Sequence, residues 1–189
     1  MEAAIEESPQ PEPGLGRFVV PALAIAMVLA FASAVTLGLF WVRDRDTNAD
    51  EVGSFLADQK PAVEKTVTKV VDLLTNYDAT NIDDVVDEML GITTGSFRKD
   101  YQDTFERGFG NAIKKASTSA RGQILTGPDV SFRSADEAVA VVRVQQTIQN
   151  NQLPEGRTYV DVMQITLINT SDGGWKADRV EILGGQQAQ

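Results

Sequence analysis

The sequence predicts an α+β domain carried behind one amino-terminal transmembrane helix. Three observations lead there. Residues 18–42 hold no charged side chain across 25 positions. From about residue 50 to 117, apolar residues recur every three or four positions, as on a helix with one buried face. After residue 117 the period drops to two, as in half-buried strands. Short connections make neighbouring strands antiparallel, so the domain should be three helices on a curled four-stranded antiparallel sheet.

Residues 18–42 are long enough to span a bilayer, since about 20 apolar residues cross the hydrocarbon core. Arg17 closes the segment on one side and Arg43 and Arg45 on the other, with Trp41 at an interfacial depth. Ala32-Ser33-Ala34 fits a signal-peptidase pattern. Two features speak for an uncleaved anchor. The tail before the span is acidic, and cleavage after Ala34 would leave an apolar mature terminus. Charge alone leaves orientation open, because one basic residue precedes the span and two follow it closely. Ala22, Ala26, Ala30, Ala34 and Gly38 recur every four residues. An alanine-rich span shows such spacing by chance. The sharper expectation is that Ala30, Ala34 and Gly38 seat the anchor against another helix, a partner's or a second copy's.

The tail, residues 1–17, is rich in Pro, Gly and Glu and is expected to be disordered. Residues 43–50 form a polar linker, and 51–185 form the domain. A first helix covers about 50–77, with Val63, Val67, Val70, Val71, Leu74 and Tyr77 on one face. Pro61 should kink it or start it afresh. Asn81 can cap a second helix whose first turn carries Asp83 and Asp84, with Gly91 as its left-handed stop. A third follows Thr93-Thr94-Gly95, with Thr94 or Ser96 as its cap. Its expected buried stripe is Phe97, Tyr101, Phe105, Phe109, Ala112, Ile113 and Ala116. Gly108 and Gly110 imply a bend there, or close packing against another backbone.

The strands are expected over 123–133 with an interruption at Gly127-Pro128, then 137–148, 157–169 and 175–183. Turn chemistry at Ser134-Ala135-Asp136, Pro154-Glu155-Gly156 and Asp172-Gly173-Gly174 separates them. Trp175 opens the last strand and is expected in the core. This order resembles the cone-shaped nuclear-transport-factor-2-like fold, in which a sheet wraps around helices.

Composition removes much chemistry. There is no Cys and no His, which excludes thiolate catalysis and disulfides and takes away the usual base near neutral pH. No cofactor or metal is expected. With 27 acidic against 17 basic residues, no positive field exists to bind nucleic acid. Asp83, Asp84, Asp87 and Glu88 lack a calcium-loop spacing and read as a solvated helix start. Asn169-Thr170-Ser171 matches a glycosylation sequon by coincidence. Tyr159 and Asp161 mark a candidate pocket, since Asp161 interrupts an apolar strand face with Met163, Ile165 and Leu167. A carboxylate in such a place gains a raised pKa and can shuttle protons, as Asp and Tyr do in some cone-fold enzymes. The plainer alternatives are a mouth position or a cross-strand partner for Arg143.

Several of these residues together resemble a family. Tyr77-Asp78 after Val71-Asp72-Leu73-Leu74, then Ile82-Asp83, then Thr93-Thr94-Gly95-x-Phe97 and Tyr101, are similar to the Mce-associated membrane proteins of actinobacteria. The likeness covers the anchor and nearly the whole domain. It implies a non-enzymatic accessory subunit that supports assembly or stability of an Mce-type lipid import system. Its partners would be the bilayer, Mce transporter subunits, homologous Mce-associated proteins or its own copy. It further implies a cytoplasmic amino terminus and an extracytoplasmic cone-like domain, similar in outline to the VirB8 component of type IV secretion. The family carries no catalytic motif onto these residues. The alternative is a membrane-tethered cone domain that binds a small lipid-like ligand or acts as an isomerase. A third is a secretion-channel scaffold.

Overall fold

The first helix, α1 (Ala49–Thr75), continues through Pro61 without a fresh start. The computed structural model describes residues 49–172 and 174–187, of which 49–55 by their backbone alone. The expected span at 18–42, with Ala30, Ala34 and Gly38, lies outside them. Among the described residues no helix is long and apolar enough to cross a membrane. Helix α1 buries Val63, Val67, Val70 and Val71 completely or nearly so, the stripe its spacing predicts.

A two-residue strand, β1 (Tyr77–Asp78), follows α1. Local periodicity does not reveal it, because Tyr77 also fits the last turn of the helical stripe. Helix α2 (Ile82–Ile92) has Asn81 at its amino-terminal cap position, but the Asn81 side chain turns backward. Its Oδ1 accepts from the Asp78 amide at 2.7 Å instead of capping the helix. Gly91 lies inside α2 and Thr93 ends the helix in extended backbone, so the expected glycine stop is corrected. The Thr93 hydroxyl donates to the Met89 carbonyl at 2.8 Å and satisfies one terminal acceptor.

The third helical segment is divided. Helix α3 (Gly95–Thr104) passes through a π-turn (Phe105–Phe109) into α4 (Gly110–Ala116). The expected bend is present, with Gly108 at φ 101° inside the π-turn. A Cβ on Gly110 would lie 2.5 Å from the Phe105 ring, so Gly110 packs against a side chain and not against another backbone. Thr94 occupies the cap position of α3 without a side-chain cap bond, which corrects the expected capping role.

Four long strands complete the domain: β2 (Ser119–Phe132), β3 (Glu137–Asn150), β4 (Leu153–Asn169) and β5 (Trp175–Gln187). With β1 they form one antiparallel sheet in sequence order, five strands where four were expected. Bulges near Leu125 and Gly127 curl β2, and Gly127-Pro128 is a cis peptide bond. Alternation on β3 sends Ala138, Ala140, Val142, Val144 and Ile148 into the core. On β4, Met163, Ile165 and Leu167 do the same. Trp175 is buried as expected and meets Phe132 edge to face at 5.8 Å. Helices on the concave face of a curled sheet are the cone-like arrangement that the element order predicts.

Candidate functional site

The carboxy terminus of α1 frames the one concavity of interest. Terminal helix carbonyls lack intrahelical partners. Here the sheet supplies them: Gln146 Nε2 donates to the carbonyls of Leu74 at 3.4 Å and Thr75 at 3.3 Å. Asn76 continues the docking, accepting from Gly122 N at 2.9 Å and donating to Gly122 O at 3.2 Å. A side-chain amide thus pairs with both backbone groups of a strand residue, as another strand would.

Beside this junction lies a small cavity of about 50 Å³. Leu73 and Leu74 of α1, Ile82 of α2, Phe97 of α3, Met163 of β4 and Val180 and Ile182 of β5 give apolar walls, with Phe109. Tyr77, Tyr101 and Gln146 are its polar members. Burial pushes the Tyr77 hydroxyl up to about 12. Burial, and next the neighbouring Tyr77, raise Tyr101 as well. Both stay protonated at neutral pH, so they serve as hydrogen-bonding groups and not as bases. A buried water needs roughly 10–15 Å³ by this measure, so the cavity holds a few waters or a handful of heavy atoms.

Tyr159 and Asp161 stand on the same face of β4 as Met163, but neither is a wall of this cavity. Asp161 is 7 % exposed and pairs in register with Val144 on one side and Gly185 on the other. A Cβ on Gly185 would collide with its carboxylate. It makes no hydrogen bond or ion pair among the described residues, and burial raises its pKa. Arg143 pairs with Val162, one residue along, so it points to the opposite face. The cross-strand pairing of Arg143 with Asp161 is therefore corrected.

The acidic start of α2 is tied to two lysines. Asp83 pairs with Lys114 at 2.5 Å and Glu88 with Lys69 at 2.5 Å. Among the described residues no group of three or more acidic side chains is placed to hold a metal. Asn169, of the sequon, begins the β4–β5 turn with its Oδ1 buried and without a hydrogen-bond partner among the described residues.

The Thr-Thr-Gly-x-Phe element has an architectural use. Thr93 closes α2, and the Thr94 amide donates to the Ala177 carbonyl of β5 at 2.8 Å. Gly95 turns the chain at φ 55°, and any Cβ there would strike Asp178. Phe97 and Tyr101 then pack at 5.9 Å between ring centres. Sequence reasoning missed Gln146 and the cavity role of Tyr77. For Gln146 a signal existed, since it takes a core-facing place in an otherwise valine-rich strand.

No protein-family model matches the chain, and no curated protein matches it. Solved structures do. The chain is similar to an IcmL-like type IV secretion system protein from Legionella pneumophila, with a TM-score of 0.55 at 9 % identity. That match covers 69 % of this chain and 94 % of the other. It is similar also to the periplasmic domain of DotI, with a TM-score of 0.53 at 13 % identity over 65 % and 93 % of the two chains. At these identities the likeness is one of fold: helices seated in a curled antiparallel sheet, shared with a type IV secretion protein and a periplasmic domain.

Proposed function

We propose that this chain is a membrane-anchored, non-enzymatic accessory subunit that supports assembly or stability of an Mce-type lipid import system. The observation that carries this reading is an interior filled by the domain's own side chains. The cavity beside the α1 carboxy terminus, about 50 Å³, is too small for a sterol or an acyl chain. The charge-free segment at 18–42 supplies the anchor, and the Thr93-Thr94-Gly95-x-Phe97 element supplies the likeness to Mce-associated proteins. The two fold neighbours, one of them periplasmic, support a domain held outside the cytoplasm within a multi-protein envelope assembly. Crosslinking mass spectrometry on intact membranes tests the partner. Crosslinks to lipid-import subunits, with lower subunit levels and lipid uptake when the chain is deleted, are the expected outcome. Unchanged uptake and subunit levels would sink the reading. Protease added to spheroplasts should digest the domain; full protection would place it in the cytoplasm.

A second reading, a scaffold subunit of a secretion-type complex, is favoured by the type IV secretion neighbour. Crosslinks to channel components, with secretion lost and lipid uptake intact, would select it.

A further inference from the structure

We propose that the convex face of the sheet seats a second copy of this chain, packed face to face about a two-fold axis that runs along β4. The choice of axis rests on the anchor in the reading above; the lipid-import role is not needed. An antiparallel sheet with one solvated face normally turns polar and charged side chains to water. The centre of this face carries no charge. Since Met163, Ile165 and Leu167 enter the core, the outward positions of β4 are Thr158, Val160, Val162, Gln164, Thr166 and Ile168. Beside them on β3, Val139 pairs with Thr166 and Val141 with Gln164, so both also face outward. Next along β3 is Arg143, exposed and without an ion pair among the described residues.

Charges flanking this uncharged strip are complementary across the axis. β3 and β5 lie on either side of β4, so the axis sets β3 of one copy over β5 of the other. Glu137 is level with Ile168 and Lys176, and therefore meets Lys176 of the other copy. Arg143 stands one residue pair from the level of Gln164 and Glu181, about 7 Å along the strands, and its long side chain reaches Glu181 of the other copy. Symmetry makes each contact twice. The direction of the axis follows from the anchor. Gln59 and Thr66 of α1 bond Trp175, where β5 begins, while Leu73 and Leu74 share the cavity with Val180 and Ile182 farther along. Helix α1 and β5 thus run the same way, and the anchor precedes α1. An axis along the strands puts both anchors on one side, as a single bilayer requires. An axis across the strands would put them at opposite ends. The outward faces of β3, β4 and β5, at about 4.8 Å per strand and about ten residues of 3.3 Å each, cover roughly 500 Å² before side-chain relief, the scale of a modest interface. Confinement of both copies in one bilayer raises their effective concentration.

The test uses the full chain in native membranes. It has no cysteine, so single Val162→Cys and Thr166→Cys variants report proximity without background. A short bismaleimide should join each variant to its own copy, because an axis along β4 sets every outward β4 position opposite itself. Asn111→Cys, exposed on α4, should stay monomeric. Adding Arg143→Glu to the Val162→Cys chain should cut the dimer by at least about fivefold, and adding Glu181→Arg as well should restore it. Restoration by the swap separates a charge contact from a folding defect. No self-crosslink at Val162 beyond that at Asn111 overturns the proposal, as do crosslinks to another protein alone. So does Val162 joining Thr166 of the other copy while neither joins itself, the sign of an axis across the strands. Sedimentation reads the anchor separately: self-crosslinks in a chain absent from the membrane pellet uphold the interface and overturn the anchor.

Discussion

The two edges of the sheet are closed in different ways. At the first edge, β1 is only two residues long, and side chains do the rest. Asn76 pairs with the backbone of Gly122, and Arg121 donates to Asp78 at 2.7 Å and to the Tyr77 carbonyl at 3.0 Å. Asp78 also accepts from the Thr80 amide at 2.9 Å and its hydroxyl at 2.5 Å. Farther along, the bulges and Pro128 blunt the strand. At the second edge, backbone and bulk close the beginning of β5. Thr94 donates to Ala177, Thr66 donates to the Trp175 carbonyl at 3.3 Å, and the Trp175 indole donates to Gln59 at 3.1 Å. Past that point β5 runs on to Gln187, and Leu183 is 58 % exposed. An edge held by polar side chains can be opened by single polar substitutions and by acid. An edge held by a buried indole yields chiefly to the loss of packing.

The largest effect should therefore come from Trp175→Ala. It removes the ring that joins Phe132, Gln59 and β5, and should destabilise by about 3–5 kcal/mol in urea unfolding. A loss under about 1 kcal/mol would mean that the second edge does not depend on this ring. Next comes Asn76→Ala, which leaves both Gly122 backbone groups unpaired. It should cost about 1–3 kcal/mol and speed hydrogen exchange at Gly122 while Ala177 stays protected.

Acid sharpens the contrast, because each edge has an aspartate shifted in the opposite direction. Thr80's hydroxyl, and next Arg121, hold the Asp78 carboxyl well below the usual carboxylate range. Its stabilisation is complete above the unfolded-state value of about 3.9 and is lost as pH falls toward the folded value. Asp78→Asn should thus be less stable than the parent at pH 7, with the gap closing on acidification. Asp161, beside Gly185 on the second edge, is raised by burial. Its ionised form opposes folding above the folded pKa and ceases to do so below the unfolded value. Asp161→Asn should therefore be more stable than the parent at neutral pH, and that advantage should vanish in acid. Melting temperatures of the two variants across pH decide both signs. The smallest effect belongs to Leu183→Thr on the open stretch of β5, within about 0.5 kcal/mol. A larger loss would show that something covers this stretch.

The same contrast explains what could be read in advance. Periodicity exposed the buried stripe of α1, the aromatic stripe of α3 and the alternation of β3 and β4, because each is a local pattern. Trp175 was legible as core because a large ring after a tight turn has few other uses. The first edge was not legible. Asn76 finds Gly122 across 46 positions and Gln146 finds Leu74 across 72, and nothing local announces either contact. For the same reason Arg143 was set against Asp161: a register shift of one residue reverses a side chain's face. Of the candidate site, the strand carrying Asp161 was readable. The cavity was not, since four separate elements bring Tyr77, Tyr101, Gln146 and Met163 together.

The π-turn at Phe105–Phe109 can be understood as a correction of phase. Phe97, Tyr101, Phe105, Phe109 and Ile113 are spaced by four, while an α-helix turns about 100° per residue. Over the sixteen positions from Phe97 to Ile113, a regular helix would carry Ile113 about 160° away from Phe97, nearly onto the opposite side. One extra residue absorbed in the wide turn brings the difference down to about 60°. Phe97, Phe109 and Ile113 are all buried, so both helical pieces turn this stripe into the core despite a spacing that does not fit the helix. The positive φ of Gly108 allows this rotation. Removing that one residue would therefore act as a shortening that keeps the phase, since fifteen regular steps also leave Ile113 about 60° from Phe97. Straightening the turn with the residue kept would instead act as a twist and swing Ile113 and Ala116 out of the core.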